Sequence, residues 1–168
     1  MQRWWRILRH RWFDEGDARR ALGPEALARL QARVAQSERG HGGEIRVCVE
    51  ASLPLSYLWR NAPARERAVT MFGKLRVWDT ERNNGVLIYL LLAEHAIEIV
   101  ADRGLNRHVS EAQWRELTHG MAAAFRRGDY EGGLAAAIDT VGQLLERHFP
   151  WQGPEANPNE LPDAPVVQ

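Results

Sequence analysis

The sequence predicts a layered α/β domain in which a small mixed β-sheet has helices on both faces. Three features support this: alternating polar and apolar residues at 44–50, an amphipathic segment at 63–78 and an unbroken apolar run, VLIYLLL, at 86–92. Alternation indicates a strand, and strand, helix and strand in this order form a right-handed βαβ unit with parallel strands. The unbroken run is typical of a central strand that is buried on both sides.

The composition of the chain argues against some classes of protein. The 168 residues include 22 basic and 22 acidic side chains, and 45% are hydrophobic. The resulting net charge of zero gives no electrostatic case for nucleic-acid binding. The chain has no apolar run of about 18 residues that would span a bilayer, and its basic, aromatic N-terminus lacks the apolar core of a secretory signal. We therefore expect a cytoplasmic protein, peripheral to the inner face of the membrane if its N-terminus binds there.

The N-terminal segment, residues 3–13, predicts a short helix with an aromatic side and an arginine-rich side. One interpretation packs the aromatic side on the protein's own core. The other places it on an anionic membrane or on a membrane-associated protein, since Trp and Arg both suit an interface. The contact residues would then be Trp4, Trp5, Arg6, Arg9 and Trp12.

The elements that follow can be taken in order. A helix over residues 24–39 has Pro24 in its first turn and stops before the glycines that begin at Gly40. In the first strand the alternation predicts a buried face and a face that is at least partly wet. Residues 52–62 should pack as a loop or a short helical turn. The helix over 63–78 has this predicted apolar face: Ala68, Met71, Phe72, Leu75 and Trp78.

After the central strand, a three-residue turn at 93–95 is too short for a crossover, so the strand at 96–101 must be antiparallel. Two helices finish the domain, with Ser110 and Gln113 spaced as a capping box and Asp129 as the second cap. Residues 1–150 are thus predicted to be one domain, with N-terminal helices at 1–39 and a core at 40–150. Residues 151–168 hold half of the eight prolines without an apolar period, which predicts a disordered tail.

Two polar loops lie outside strand ends, where open α/β sheets collect ligands. A hard cation such as Ca²⁺ or Mg²⁺ takes six or more oxygen ligands. If the two loops meet, their oxygens could hold such an ion, although the sequence makes no cofactor certain. The metal-ligand candidates are Asp79, Asn84, Asp102 and Glu111. The catalytic candidates are Asp79, Asp102 and Arg103, and the phosphate-binding candidates are Arg82 and Arg103. In the alternative interpretation these residues only form turns and surface ion pairs.

Three segments carry a resemblance to a known family. NNGVLIYLLL, IEIVADRGL and FRRGDYEGGLAAAIDTVGQLLERHFP, which together span about residues 40–150, resemble the TPM-domain family. This family includes thylakoid-lumen proteins described as acid phosphatases and bacterial membrane-anchored forms. The WDT and ADRG signatures are most similar to a short bacterial subgroup without signal or anchor. The resemblance implies a Rossmann-like sandwich and a metal-assisted phosphatase or calcium-binding site.

The resemblance also assigns positions. Asn84-Gly85 and Gly104-Leu105 match family positions beside the central hairpin, whereas the longer forms commonly have acids where this chain has Asn106 and Glu111. Because no P-loop or Cys-x5-Arg loop is present, whether the protein is an enzyme stays open. We expect a TPM-like binding or regulatory domain that acts with a membrane protein or membrane-associated assembly. The alternative is a weak, divalent-metal-dependent acid phosphatase.

Overall fold

The computed structural model describes residues 2–151, 153 and 158–168 of the chain. The α-helices of this part are α1 (Gln2–Arg11), α2 (Glu15–Ala21), α3 (Pro24–Ser37), α4 (Leu55–Trp59), α5 (Ala64–Lys74), α6 (Arg103–Asn106), α7 (Glu111–Arg126) and α8 (Tyr130–His148). The strands are β1 (Glu44–Glu50), β2 (Gly85–Leu91), β3 (Ala96–Ala101) and β4 (Val166–Val167). Within these ranges, every helix is too short or too polar to cross a bilayer.

The four strands form one mixed sheet in the order β3-β2-β1-β4. β1 and β2 are parallel, with Ile45 opposite Val86, and β3 runs antiparallel to β2. The predicted βαβ unit and antiparallel pair are therefore confirmed. Every residue of β2 is buried, as its unbroken apolar run predicts.

Helices cover both faces of the sheet, which confirms the predicted layered α/β sandwich. One face carries Val47, Ile88 and Ile99 and packs against α2, α3, α7 and α8. The other carries Cys48, Leu87 and Tyr89 and packs against α1, α4 and α5. The predicted caps are present, since Ser110 and Gln113 form the capping box of α7 and Asp129 caps α8.

The face of β1 that was predicted to be partly wet is buried except at Arg46, which is partly exposed. Glu44, Cys48 and Glu50 are all buried, because α5 and the C-terminal residues cover that face. The predicted apolar face of the next helix is also wrong at one end. α5 stops at Lys74, so Trp78 lies beyond it and is exposed, while Arg67 is buried.

The predicted disorder of residues 151–168 is wrong for residues 158–168. Leu161 is buried, and Val166 and Val167 pair with Cys48 and Val49 as the parallel edge strand β4. Both valines are β-branched, which favours a strand, and they pair with the edge of β1 that β2 does not occupy. Residues 152 and 154–157, to which the prediction also applied, lie outside the described residues.

Candidate functional site

The two polar loops meet at one end of the β2–β3 hairpin. The Gly104 N–H donates to the Asn83 carbonyl at 2.8 Å, and the Asp102 N–H donates to the Gly85 carbonyl at 2.9 Å. A Cβ on Gly104 would lie 2.5 Å from the Asn83 oxygen, so only glycine allows this approach. We call residues 79–85 and 102–104 the loop junction.

Two candidate ligands at the loop junction are buried with one oxygen unused. Asn84 donates its side-chain N–H to the Gly42 carbonyl at 2.6 Å, and Asp102 accepts the Arg103 N–H at 2.6 Å as the N-cap of α6. The other side-chain oxygens, Asn84 Oδ1 and Asp102 Oδ2, are buried and have no hydrogen-bond partner among the described residues. These two atoms are the polar groups here that a ligand could satisfy.

The other candidate acids do not join them. Asp79 is exposed in a turn in which its N–H donates to the Arg76 carbonyl, and Glu111 is the exposed first residue of α7. Glu111 lines a separate cavity of about 310 Å³ beside β3. In the part of the chain that the structure describes, no three His, Cys, Asp or Glu side chains are grouped to hold a metal ion.

The two candidate phosphate-binding arginines are already engaged. The Arg103 guanidinium donates to Asn83 Oδ1 at 2.6 Å and joins the two loops, and the side chain is otherwise exposed. The Arg82 guanidinium lies over the Trp151 ring, 5.7 Å from its centroid. The bond to Asn83 uses one of the five N–H groups of Arg103, so its other, exposed N–H groups remain available to a phosphate.

The comparisons with known proteins identify the domain. A model of the TPM domain matches residues 16–144. The chain belongs to the TPM-domain family. Its fold is similar to the NMR structure of BA42 protein from the psychrophilic bacterium Bizionia argentinensis, with a TM-score of 0.73, 28% identity, and coverage of 86% of this chain and 94% of that one. None of the proteins with curated functions matches the chain.

A more distant TPM-fold structure is the N-terminal domain of a protein from P. gingivalis. It has a TM-score of 0.61 and 20% identity, with 79% of this chain and 83% of that one covered. At this identity the similarity concerns the fold alone. The matched TPM-domain residues include neither α1 nor β4.

The helix α1 is fixed to the TPM domain by a polar lock that sequence reasoning missed. Glu94 Oε1 accepts from Arg6 Nε at 2.6 Å and from His10 Nε2 at 2.9 Å. The Leu53 N–H donates to His10 Nδ1 at 3.0 Å, and this contact leaves the His10 proton on Nε2, toward Glu94. The spacing of Arg6 and His10, one helical turn apart, is the signal that could have indicated a shared face.

The lock explains the electrostatics of Glu94. Burial works to raise the pKa of this carboxyl, but the hydrogen bonds from His10 and Arg6 outweigh it and lower the pKa to about 2. Arg6 also donates to the Ala62 carbonyl at 2.7 Å. The guanidinium of Arg6, which was a predicted membrane or partner contact, therefore points into the protein.

The opposite side of α1 is exposed. Trp5 is 71% exposed and Trp12 is 82% exposed, so the interpretation in which the aromatic side packs on the protein's own core is wrong. The neighbouring helix α4 adds two more exposed apolar side chains. We call this surface the aromatic face; it consists of Trp4, Trp5, Leu8, Trp12, Leu55 and Trp59.

Cations flank the aromatic face. At about 100° per residue along a helix, Arg9 and Arg11 fall on either side of the stripe formed by the α1 members. Both arginines are exposed. Large apolar side chains bordered by guanidinium groups suit a surface that presents hydrocarbon and anionic groups together.

Proposed function

We propose that this protein is a non-catalytic binding domain that acts at a membrane, with the aromatic face as its docking surface. The observation that carries the proposal is a set of six large apolar side chains that are exposed on two adjacent helices and, for Trp12, directly after the first of them. Contiguous exposed apolar patches on a soluble domain mark interaction sites. The flanking Arg9 and Arg11 favour a surface of anionic lipid, at about 1 kcal/mol for each cation near the membrane.

The polar lock supports the same proposal. A short amphipathic helix that is free in solution must become ordered when it binds, and this ordering weakens binding. Here Arg6 and His10 hold α1 against Glu94 before any contact with a membrane, so the tryptophans are already arranged. The lock uses the polar side of the helix and leaves its apolar side for a partner.

Vesicle flotation of the full-length protein tests the proposal. We expect the protein to float with vesicles that contain phosphatidylglycerol, and to float less with pure phosphatidylcholine or at high salt. Trp5→Ser with Trp12→Ser should lower the bound fraction at least fivefold. Trp78→Ser is the matched control, because Trp78 is similarly exposed but is not part of the aromatic face.

A second variant separates preorganisation from simple hydrophobicity. Glu94→Ala breaks the lock and keeps every tryptophan, so a two- to fivefold weakening is expected from the cost of ordering α1. If the protein does not float with anionic vesicles, or if the double tryptophan variant floats like the wild type, the proposal is wrong.

The phosphatase alternative has one observation in its favour, the unpaired oxygens of Asn84 and Asp102 at the loop junction. Amide and carboxylate oxygens are ligands of the kind that Ca²⁺ and Mg²⁺ take. If the loop junction binds such an ion, Ca²⁺, Mg²⁺ or Mn²⁺ should raise the melting temperature, and p-nitrophenyl phosphate should be hydrolysed with metal but not by a folded Asp102→Asn variant. Unchanged melting and no hydrolysis would remove this alternative.

A further inference from the structure

The outer edge of β1 is covered by a short segment of the same chain, residues 158–168, which we call the C-terminal strap. Near its end the strap pairs through its backbone, where the Gln168 N–H donates to the Val49 carbonyl at 3.0 Å. Near the start of β1 it is held by side chains instead. The Leu161 N–H donates to Glu44 Oε2 at 3.1 Å, and Arg46 donates to the Ala164 carbonyl at 2.9 Å.

The strap leaves polar atoms beneath it unsatisfied. Glu44 Oε1 and Arg46 Nε are buried, and neither has a hydrogen-bond partner among the described residues. An unpaired buried polar group destabilises a protein, because it has lost its hydrogen bonds to water without replacing them. The strap therefore covers this edge of the sheet but leaves side-chain atoms of Glu44 and Arg46 without hydrogen bonds.

The charges at the start of β1 are also mismatched. Glu44 lies near a second buried acid, Glu38, whose Oε1 accepts the Ile45 N–H at 2.8 Å. The strap adds Glu160 and Asp163, and the Glu81 N–H binds Glu160 from the neighbouring loop. Of these carboxyls, Asp163 lies near the Arg46 cation and shares a hydrogen bond with Glu38.

The protonation of these acids agrees with the mismatch. Burial is the largest cause that raises the pKa of Glu38 to about 8 and that of Glu44 to about 7, and the neighbouring carboxyls act in the same direction while backbone N–H groups oppose it. A cation placed among them would relieve both effects. The strap instead carries Asp163 there.

From this arrangement we propose that the outer edge of β1 is a docking site for an extended peptide of a partner protein. The partner strand runs parallel to β1, has β-branched residues at the positions of Val166 and Val167, and carries Lys or Arg at the position of Asp163. Such a peptide adds a strand through backbone hydrogen bonds and gains specificity from its alternate side chains. The strap is its intramolecular competitor.

The chain contains a reporter for strap displacement. Cys48 is its one cysteine, and Gln168 of the strap places its side-chain nitrogen 3.7 Å from the buried sulfur. Burial raises the pKa of the Cys48 thiol to about 12, so the thiol is expected to react slowly while the strap is in place. Displacement of the strap exposes the thiol to a maleimide.

The test uses the full-length protein and fluorescent peptides with the sequence of residues 158–168. One peptide is unchanged, one has Asp163→Lys, and one has Asp163→Lys with both valines replaced by Asp. We expect the lysine peptide to bind at least tenfold more tightly than the unchanged one by fluorescence anisotropy. Because the bound peptide again places a glutamine beside Cys48, it should slow maleimide labelling of a protein whose own strap is weakened by Val166→Asp. The peptide without valines should not bind.

Two protein variants keep the test decisive. Val166→Asp weakens the strap in the full chain and should tighten binding of the lysine peptide at least tenfold, whereas Glu44→Gln should reduce the preference for lysine. If the Val166→Asp protein is folded by circular dichroism and binds no peptide, the proposal is overturned. Equal affinity for the Asp and Lys peptides would also overturn it.

Discussion

The two ends of β1 bury a glutamate in opposite ways. At one end, the Glu50 carboxylate accepts from Arg67 Nη2 at 2.6 Å and from Arg67 Nε at 2.9 Å, and the Tyr89 hydroxyl donates to it at 2.6 Å. At the other end, Glu44 accepts one backbone N–H and has an unused buried oxygen. Both side chains lie on the same face of the strand, so the difference arises from what covers them.

The two glutamates avoid an unpaired buried charge in two different ways. A buried carboxyl must either be paired with a cation and hydrogen-bonded, or keep its proton. Helix α5 supplies Arg67 to Glu50, and that bond raises the pKa of the Arg67 guanidinium. The strap supplies no cation to Glu44. One end of β1 is therefore fixed to a helix of the core, and the other depends on pH.

Removing the cation at the first end should have the largest effect. Arg67→Met leaves the Glu50 carboxylate buried without its ion pair, and we expect the free energy of unfolding at pH 7 to fall by about 3–5 kcal/mol. Chemical denaturation gives the value. The double variant Glu50→Gln with Arg67→Met should recover much of the loss, because no unpaired charge is left. A loss below about 1 kcal/mol in the single variant would contradict this account of the pair.

At the Glu44 end, the expected signature is a loss of stability as pH rises. The pKa of Glu44 is raised in the folded state, so its contribution is fully present below the ordinary carboxyl pKa and is lost as pH rises through about 7. Glu38 extends the same loss to about pH 8. The free energy of unfolding of Glu44→Gln, minus that of the wild type, should therefore be about 2–3 kcal/mol higher at pH 9 than at pH 4.

The control for this prediction is Glu116→Gln, because Glu116 is exposed on α7. It should leave the dependence of stability on pH unchanged between pH 4 and pH 9. If Glu44→Gln and the wild type lose stability in parallel over this range, Glu44 does not hold its proton in the folded protein.

The same strand shows how far the sequence determines the fold. β2 can be predicted from its own residues, since an unbroken apolar run has only one suitable place in a layered sheet. The burial of β1 cannot be predicted in this way, because the alternation of Val47 and Val49 with Arg46, Cys48 and Glu50 also fits a strand with one wet face. What buries Glu44 and Glu50 is Leu161, 117 positions away, and Arg67, 17 positions away. No local pattern contains that information.

The candidate site, too, can be predicted only in part from the sequence. The meeting of the two polar loops follows from the hairpin, because an antiparallel pair brings the start of β2 and the end of β3 to one edge. The directions of the side chains do not follow from it. Asp102 turns inward as a helix cap while Asp79 stays exposed, and each depends on hydrogen bonds that form only after the loops pack. The aromatic side of α1 is visible in the sequence, but its exposure depends on the distant acceptor Glu94.

The smallest predicted effect distinguishes what the Tyr89 hydroxyl contributes to stability at Glu50 from what the Arg67 cation contributes. Tyr89→Phe removes the hydrogen bond to Glu50 and leaves Arg67 in place, so the free energy of unfolding should fall by about 1–2 kcal/mol. Tyr130→Phe is the matched control. The Tyr130 hydroxyl bonds His95 Nδ1 at 3.1 Å, at a partly exposed position where water can replace the bond, and the loss should be below about 0.5 kcal/mol. In a Glu50→Gln background the Tyr89→Phe loss should shrink, because the hydroxyl then meets a neutral acceptor. An equal loss in both backgrounds would mean that the Tyr89 hydroxyl does not stabilise the Glu50 charge, leaving Arg67 as the group that compensates it.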